Sequence, residues 1–262
     1  ATAARLIPDN SSIILNIGTT TEQVALALRR HQGIMAITNN INVANILRDV
    51  PSAEVVIAGG VVRHSDGLVR FAPNTGWVDV PIAQLVGELL EGRLSVFVGN
   101  DADMGAISEH VRGAAAGTSN AIFLSGEVGV GGGIILGGRL MEGAGGYGGE
   151  VGHMVVNPNG RACRCGRRGC WETEIGEDSV IKGLGGRRRD NIDTLLARIA
   201  PADATAGLAR VGRWLGLGLA NLVNIFNPEV VVFGGLLRRI LPLVDEHLQN
   251  EFATALIASR EQ

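Results

Sequence analysis

Aromatic residues are scarce in this chain of 262 residues, at 4%, and there is one tyrosine. A core must therefore be built from aliphatic and small side chains. Apolar residues make up 46%, and 38 glycines permit close backbone approaches. No apolar run of about 18 residues occurs, and no signal peptide opens the chain. Together these absences exclude a helical membrane span and predict a soluble, cytoplasmic protein. Dense positive charge is also lacking: the formal net charge is −3. The one dense basic run, Arg187-Arg188-Arg189, lies in the glycine-rich stretch GLGGRRRDN and reads as a solvated turn rather than a nucleic-acid patch. Cysteine is limited to three residues. An odd count without secretory marks argues against a disulfide framework. The length accommodates one large domain or two modest ones. The chain opens on Ala1 rather than Met, which reads as a processed, trimmed or fragmentary start.

The three cysteines fall in one window, Gly149 to Glu172, with the sequence GEVGHMVVNPNGRACRCGRRGCWE. Cys163, Cys165 and Cys170 follow the pattern Cys-x-Cys-x4-Cys, and His153 precedes them. Three thiolates and one imidazole are the donor set of a closed, tetrahedral structural zinc site. Pro158, Gly160, Gly166 and Gly169 let the loop turn tightly enough to converge the donors. Arg161, Arg164, Arg167 and Arg168 surround the thiols and are expected to lower their pKa values. Glu150 and Glu172 flank the loop without being needed as ligands; rigidly held carboxylates of this kind suit a hydroxyl-rich substrate such as a sugar.

Gly-Glu-x-Gly-His followed by Cys-x-Cys-Gly-x-x-Gly-Cys-x-Glu resembles the signature of the ROK family of bacterial sugar kinases and sugar-responsive repressors. The resemblance implies zinc on His153, Cys163, Cys165 and Cys170, and sugar contacts from Glu150, His153 and Glu172. In that family the metal shapes the binding site and does no chemistry itself. The resemblance starts near Gly67, with GLVRFAPNTGWVDVPIAQLV, and continues to about Gly235. It implies an RNase H-like, actin-like ATPase-type α/β fold.

Residues 1–66 read differently. Strands at 12–15, 34–37 and 54–58 alternate with helical patterns at 22–30 and 43–48, the order of a parallel, doubly wound sheet. LNIGTTT, ITNNINVANIL and the run into VVIAGG resemble the first half of the effector-binding domain of DeoR-type repressors. That resemblance points to Thr19, Thr20, Thr21, Thr38 and Asn39 as a sugar-phosphate site, although hydroxyls at a helix start serve equally as caps. The chain thus reads as a chimera of a DeoR-like βαβαβ segment, 1–66, and a ROK-type sugar-binding domain, 67–262. The join would lie near Gly60 to Gly67, and the C-terminal end is expected to be truncated. No DNA-binding domain is recognisable in the sequence, and a homo-oligomer is expected.

A strand at 94–98 leads into Asn100, Asp101 and Asp103 at the first turn of a helix running to Ala116. The acidic pair suits a helix N-terminus. The ROK resemblance makes Asp101 the base that would accept a proton from a sugar hydroxyl, and Asn100 a neighbouring sugar contact. A hairpin is expected from 122–125 and 131–136. Kinases of the family carry Gly-Thr where this chain has Glu127-Val128, and Asn16 stands where a metal-organising Asp is expected. A carboxylate repels phosphate and an isopropyl group cannot bond it, which argues against ATP. A long helix at 204–227 with Gly216, Gly218 and Ala220 predicts close helix packing, Pro228 ends it, and a strand at 230–233 precedes a last helix from Leu236 to about Ala258. The expected function is the sugar-sensing effector module of a ROK-type regulator with structural zinc. Two alternatives stand beside it: an ATP- and Mg2+-dependent sugar (hexose or N-acetylhexosamine) kinase, and an inactive hybrid.

Overall fold

The computed structural model describes residues 7–15, 19–38, 40–50, 53–58, 60–63, 65–72, 76–93, 95–126, 128–187, 190–199 and 206–257. They divide into two compact units, Ala1–Met104 with Glu142–Gly148, and Gly105–Met141 with Gly149–Gln262.

In the first unit, β1 (Ser12–Leu15), α1 (Thr19–Leu28), β2 (Met35–Thr38), α2 (Ile41–Leu47) and β3 (Glu54–Ala58) follow the expected alternation. After β4 (Val61–Arg63), β5 (Leu68–Ala72), β6 (Trp77–Val80) and α3 (Ile82–Leu89) comes β7 (Ser95–Gly99). Strands β1, β2, β3 and β7 pair in parallel in that order, with Ile13 opposite Ala36, Ala36 opposite Val55 and Val55 opposite Val96. Each strand is laid beside the one before it, so right-handed crossovers carry the connecting helices to the same face. Accordingly Ala25 and Leu28 of α1, Val43 and Leu47 of α2, and Ile82 and Val86 of α3 share one core with Leu15, Ala36, Val55 and Val98. The antiparallel meander β4-β5-β6 was not anticipated. Its strands span three to five residues, too short for their alternation to stand out. Arg63 closes its first turn with two hydrogen bonds to Asp66, at 2.9 and 2.6 Å.

Helix α4 (Asp101–Arg112) begins in the first unit and continues into the second. It ends before the expected Ala116 because the Glu109 carboxylate accepts the Ala114 N–H at 2.8 Å and turns the chain out of the helix. The second unit continues with β8 (Ala121–Gly126), β9 (Val130–Leu136), β10 (Arg139–Leu140), α5 (Trp171–Ile175), α6 (Glu177–Gly183), α7 (Ile192–Leu196), α8 (Ala206–Phe226), β11 (Val230–Gly234) and α9 (Gly235–Ala255). Its sheet runs β10-β9-β8-β11, with β8 and β9 forming the expected hairpin and β11 parallel to β8. Asn227, at φ +44, terminates α8 in the left-handed conformation, and Pro228 prevents its continuation.

The glycines of α8 set its packing. A Cβ on Gly212 would lie 2.7 Å from the Val244 carbonyl oxygen, and one on Gly216 2.5 Å from that of Leu248. Helix α9 therefore lies directly against the α8 backbone. Gly218 faces Trp171 instead, where a Cβ would meet the indole at 2.1 Å. Leu208, Val211, Leu215 and Leu222 join Leu237, Ile240 and Val244 in the core that results.

Candidate metal centre and sugar-contact residues

The four donors are converged by backbone geometry. His153 ends a 3-10 turn, Val151–His153, laid on β9 so closely that a Cβ on Gly152 would sit 1.9 Å from the Val130 carbonyl oxygen. The cysteine loop is closed by bridges between Val155 and Cys170 and between Ala162 and Arg168. Gly169 permits the crossing: its φ is +73, and a side chain there would strike the Asn157 carbonyl oxygen at 1.7 Å. The Cys163 N–H donates to Arg167 O at 2.8 Å, and the Cys165 N–H points to Cys163 Sγ at 3.5 Å.

One nitrogen of His153 and the sulfurs of Cys163, Cys165 and Cys170 lie within 4.8 Å of one another. Cys165 Sγ is 3.6 Å from Cys170 Sγ, and Cys163 Sγ is 3.7 Å from His153 Nδ1. A tetrahedral zinc with metal–sulfur bonds of about 2.3 Å places its sulfurs about 3.8 Å apart, so these edges fit the ion. The cluster could therefore hold a metal, and its donor chemistry matches zinc.

The expected lowering of all three thiols by the arginines is corrected by the structure. Burial pushes the Cys163 thiol up, and its bond to the Glu172 carboxylate raises it further. Cys170 is also raised, by burial and then by Cys165. Burial acts upward on Cys165 too, but the Arg167 backbone N–H, the two neighbouring thiols and the Arg167 charge outweigh it, and this thiol alone is lowered. The arginines are partly engaged elsewhere: Arg161 bonds Ser179, and Arg168 donates to Gly160 O at 2.8 Å.

Glu172 lies against the cluster itself, with Oε1 2.8 Å from Cys163 Sγ and 3.7 Å from His153 Nδ1. Gly129 leaves space for its other oxygen, because a Cβ there would come within 2.6 Å of Oε2. Glu150 is half-buried at the start of the 3-10 turn. Two residues absent from the sequence expectation hold this assembly. Trp171, fully buried, donates from Nε1 to Trp214 O at 2.8 Å and anchors α5 to α8. Glu174, 2% exposed, accepts from Asn157 Nδ2 at 2.9 Å and from Arg210 at 2.8 Å. A signal for Glu174 was present: it sits at i+3 from Trp171, on the same helix face as Ile175.

Asn100 and Asp101 belong to the first unit, Glu150, His153 and Glu172 to the second. Asn100 caps α4, its Oδ1 accepting the N–H groups of Ala102 at 2.8 Å and Asp103 at 3.3 Å. Its Nδ2 donates to Gly60 O at 2.9 Å. Asp101 is exposed, with Oδ1 3.1 Å from the Ala102 nitrogen, and Asp103 is buried.

Of the N-terminal expectations, Asn39 and residues 16–18 lie outside the described residues, as do the side chains of Thr19 and Thr20. Thr21 is half-buried in the first turns of α1. Thr38 is buried, donating to Leu15 O and accepting the Asn40 N–H at 3.0 Å. Glu22, missed in the sequence, accepts from Asn42 Nδ2 at 3.0 Å and Asn40 Nδ2 at 3.1 Å. These bonds, Asn42's first, hold its carboxyl below the usual range and clamp the starts of α1 and α2 together. Such a carboxylate opposes an incoming phosphate. Val128 is exposed at the β8–β9 turn, while Glu127, Arg188 and Arg189 are outside the described residues. Arg187 is exposed in a turn whose N–H bonds Asp190 at 2.7 Å. Among the described residues no helix is long and apolar enough to cross a membrane.

This α/β chain, with a His/Cys3 cluster tied through Trp171 to α8, shares its fold with sugar kinases of the actin-like ATPase type. The ROK family profile matches residues 18–262, and the chain belongs to this family. The xylose repressor of Bacillus spizizenii is 34% identical over 200 residues, 74% of this chain and 51% of the repressor. A glucokinase of Halalkalibacterium halodurans is 34% identical over 197 residues, 68% of this chain and 59% of that enzyme. The crystal structure of a ROK family glucokinase from Streptomyces griseus in complex with glucose and AMPPNP superposes with a TM-score of 0.67 at 26% identity, covering 90% of this chain and 78% of the other. The chain thus spans about half the length of the curated repressors it matches. The profile begins within the stretch that resembles the DeoR-type segment and includes all of the zinc-loop signature.

Proposed function

We propose that this chain is the sugar-binding effector part of a ROK-type transcriptional regulator, carrying one structural zinc on His153, Cys163, Cys165 and Cys170. Residues 67–262 supply the sugar domain in this reading, and 1–66 the βαβαβ segment before it. Zinc, when bound, supplies rigidity and holds His153 in place. The chain's own groups do the recognition in this reading: Glu150 and Glu172 accept from sugar hydroxyls beside the knuckle, and Asn100 and Asp101 at the start of α4 are the further sugar contacts that the family resemblance implies. The observation that carries the sugar reading is the placement of Glu172 against the donor cluster, because it fixes a carboxylate at the edge of a rigid loop. Val128 supports the regulator over an enzyme, since an exposed isopropyl group occupies the turn where the family's kinases carry a phosphate-facing threonine.

The second reading is an ATP- and Mg2+-dependent sugar kinase with Asp101 as its base. An exposed carboxylate at Asp101 favours it, as does a glucokinase relative with the same 34% identity as the Bacillus spizizenii repressor. Isothermal titration with a panel of hexoses, pentoses and N-acetylhexosamines tests the shared part of both readings. Asp101→Ala, Glu150→Ala and Glu172→Ala should each weaken the preferred sugar about ten- to a hundred-fold, the loss of one charged acceptor at about 1.5–3 kcal/mol. Unaltered affinity in all three variants would place the sugar elsewhere.

A further inference from the structure

We infer that Cys165 and Cys170 form a peroxide-sensitive thiol pair whose disulfide and the metal are mutually exclusive. The inference rests on the four donors being a metal site, and its chemistry follows from their unequal surroundings. Cys165 Sγ and Cys170 Sγ approach to 3.6 Å. The Cys163 thiol neighbours both of these sulfurs, but it is engaged on its other side, 2.8 Å from the Glu172 carboxylate and 3.7 Å from His153 Nδ1. Access is unequal as well: Cys163 and Cys170 are buried, whereas Cys165 is half-exposed. Gly166 follows it at φ +89, and no atom lies within 4 Å of where its Cβ would be, so the loop is open beside Cys165. Cys165 is therefore the sulfur a small hydroperoxide reaches first, and Cys170 is the one placed to resolve the product.

The step balances without a further reactant. The Cys165 sulfur attacks one oxygen of hydrogen peroxide, the O–O bond breaks, and the departing hydroxide takes up the thiol proton as water, leaving a sulfenic acid. The Cys170 sulfur then attacks Cys165 Sγ, the S–S bond forms, the S–O bond breaks, and the hydroxyl leaves with the Cys170 proton as a second water. Two thiols are oxidised by two electrons and the peroxide is reduced. The disulfide takes two of the four donors, and His153 with Cys163 alone does not make a closed zinc site. Glu172 would then stand beside a loop that no longer holds the ion, so sugar affinity would follow the redox state of this pair.

The sequence supplies its own assay. Arginines at 161, 164, 167 and 168 make trypsin separate the three cysteines, into Ala162–Arg164, Cys165–Arg167 and Gly169–Lys182. The full chain, reduced and stripped of metal, is treated with one equivalent of hydrogen peroxide and digested without reductant. The expected major product links Cys165–Arg167 to Gly169–Lys182, with Cys163 still alkylatable. The oxidised protein should bind less than about a tenth of the zinc taken up by the reduced protein, and dithiothreitol should restore uptake. Cys163→Ser should give the same linked peptide. A major product containing Ala162–Arg164, or undiminished zinc uptake after oxidation, overturns the inference. Failure of the reduced protein to bind zinc would instead remove the metal reading, and the peptide linkage would still decide the pairing.

Discussion

At the residue scale, two carboxylates do structural work that their charge makes costly to replace. Glu174 has a 1% exposed side chain, yet its partner Arg210 is 57% exposed, so the pair is half in water. Its value lies in satisfying Asn157 and Arg210 together, which ties the cysteine loop to α8 through α5. Glu174→Ala would leave Asn157 Nδ2 without its partner and an opening in the core, at an expected cost of about 2–4 kcal/mol in urea unfolding. Glu174→Gln keeps the shape and one acceptor and should cost less. Equal midpoints for wild type and both variants would show that the loop does not depend on this contact. Glu229 acts differently. Its carboxylate accepts the backbone N–H groups of Ser119 and Asn120 at 2.8 and 2.9 Å, which pin the start of β11 beside β8. Those bonds, Ser119's first, hold its pKa below the ordinary 4.5. A depressed folded value means the contribution is present above about pH 4.5 and is lost as the pH falls towards the folded pKa. Glu229→Gln should therefore lose less stability than wild type on acidification from pH 5 to about pH 3, measured by thermal melting. Superimposable acid limbs for the two proteins would show that the carboxylate is not the group involved.

At the scale of elements, one substitution should have opposite signs in two helices. Gly218→Ala drives a methyl into the Trp171 indole, so Trp171 must leave its bond to Trp214 O or α5 must shift. The expected net cost is about 1–3 kcal/mol, overpacking exceeding the helix-propensity gain of about 1 kcal/mol. Gly87 in α3 has nothing within 4 Å of the same position, so Gly87→Ala should stabilise by up to about 1 kcal/mol. Calorimetric midpoints moving in the same direction for both would refute the packing account. Much of this was legible in the sequence. The spacing of Leu208, Val211, Leu215 and Leu222 marks a helix, and the glycines within it mark a close approach. The donor cluster is legible because three cysteines and a histidine with one glycine-rich loop leave few alternatives. What escaped reading depends on contacts between distant positions. Asn100 bonds Gly60, and Glu22 bonds Asn40 and Asn42, pairs brought together by strand order and invisible to any local period. The β4-β5-β6 meander escaped for another reason. Its strands are brief, and their burial alternates irregularly around a register shift between Val61 and Val62.

At the scale of the whole molecule, the choice between the two proposed readings turns on phosphoryl transfer. Transfer needs a base, but most of the acceleration comes from positioned phosphates and from metal ions that neutralise their charge. In the kinase reading Asp101 is the base. Among the described residues, Val128 offers no hydroxyl at the β8–β9 turn, and the Glu22 carboxylate, held ionised by Asn42 and Asn40, would oppose a phosphate beside the start of α1. In the regulator reading, a base without positioned phosphates accelerates transfer too little to serve as a kinase, while its hydrogen bonds to a sugar remain. The expected behaviour is thus sugar binding without turnover: calorimetry with the preferred sugar should show saturable heat, and a coupled ADP assay with ATP and Mg2+ should stay at background. Val128→Thr alone should not create activity, because one hydroxyl replaces a small part of what is missing. Sugar-dependent ADP release by the unmodified chain, abolished in Asp101→Ala, would reverse the order of the two readings. It would also show that phosphate is held by groups other than the β8–β9 turn.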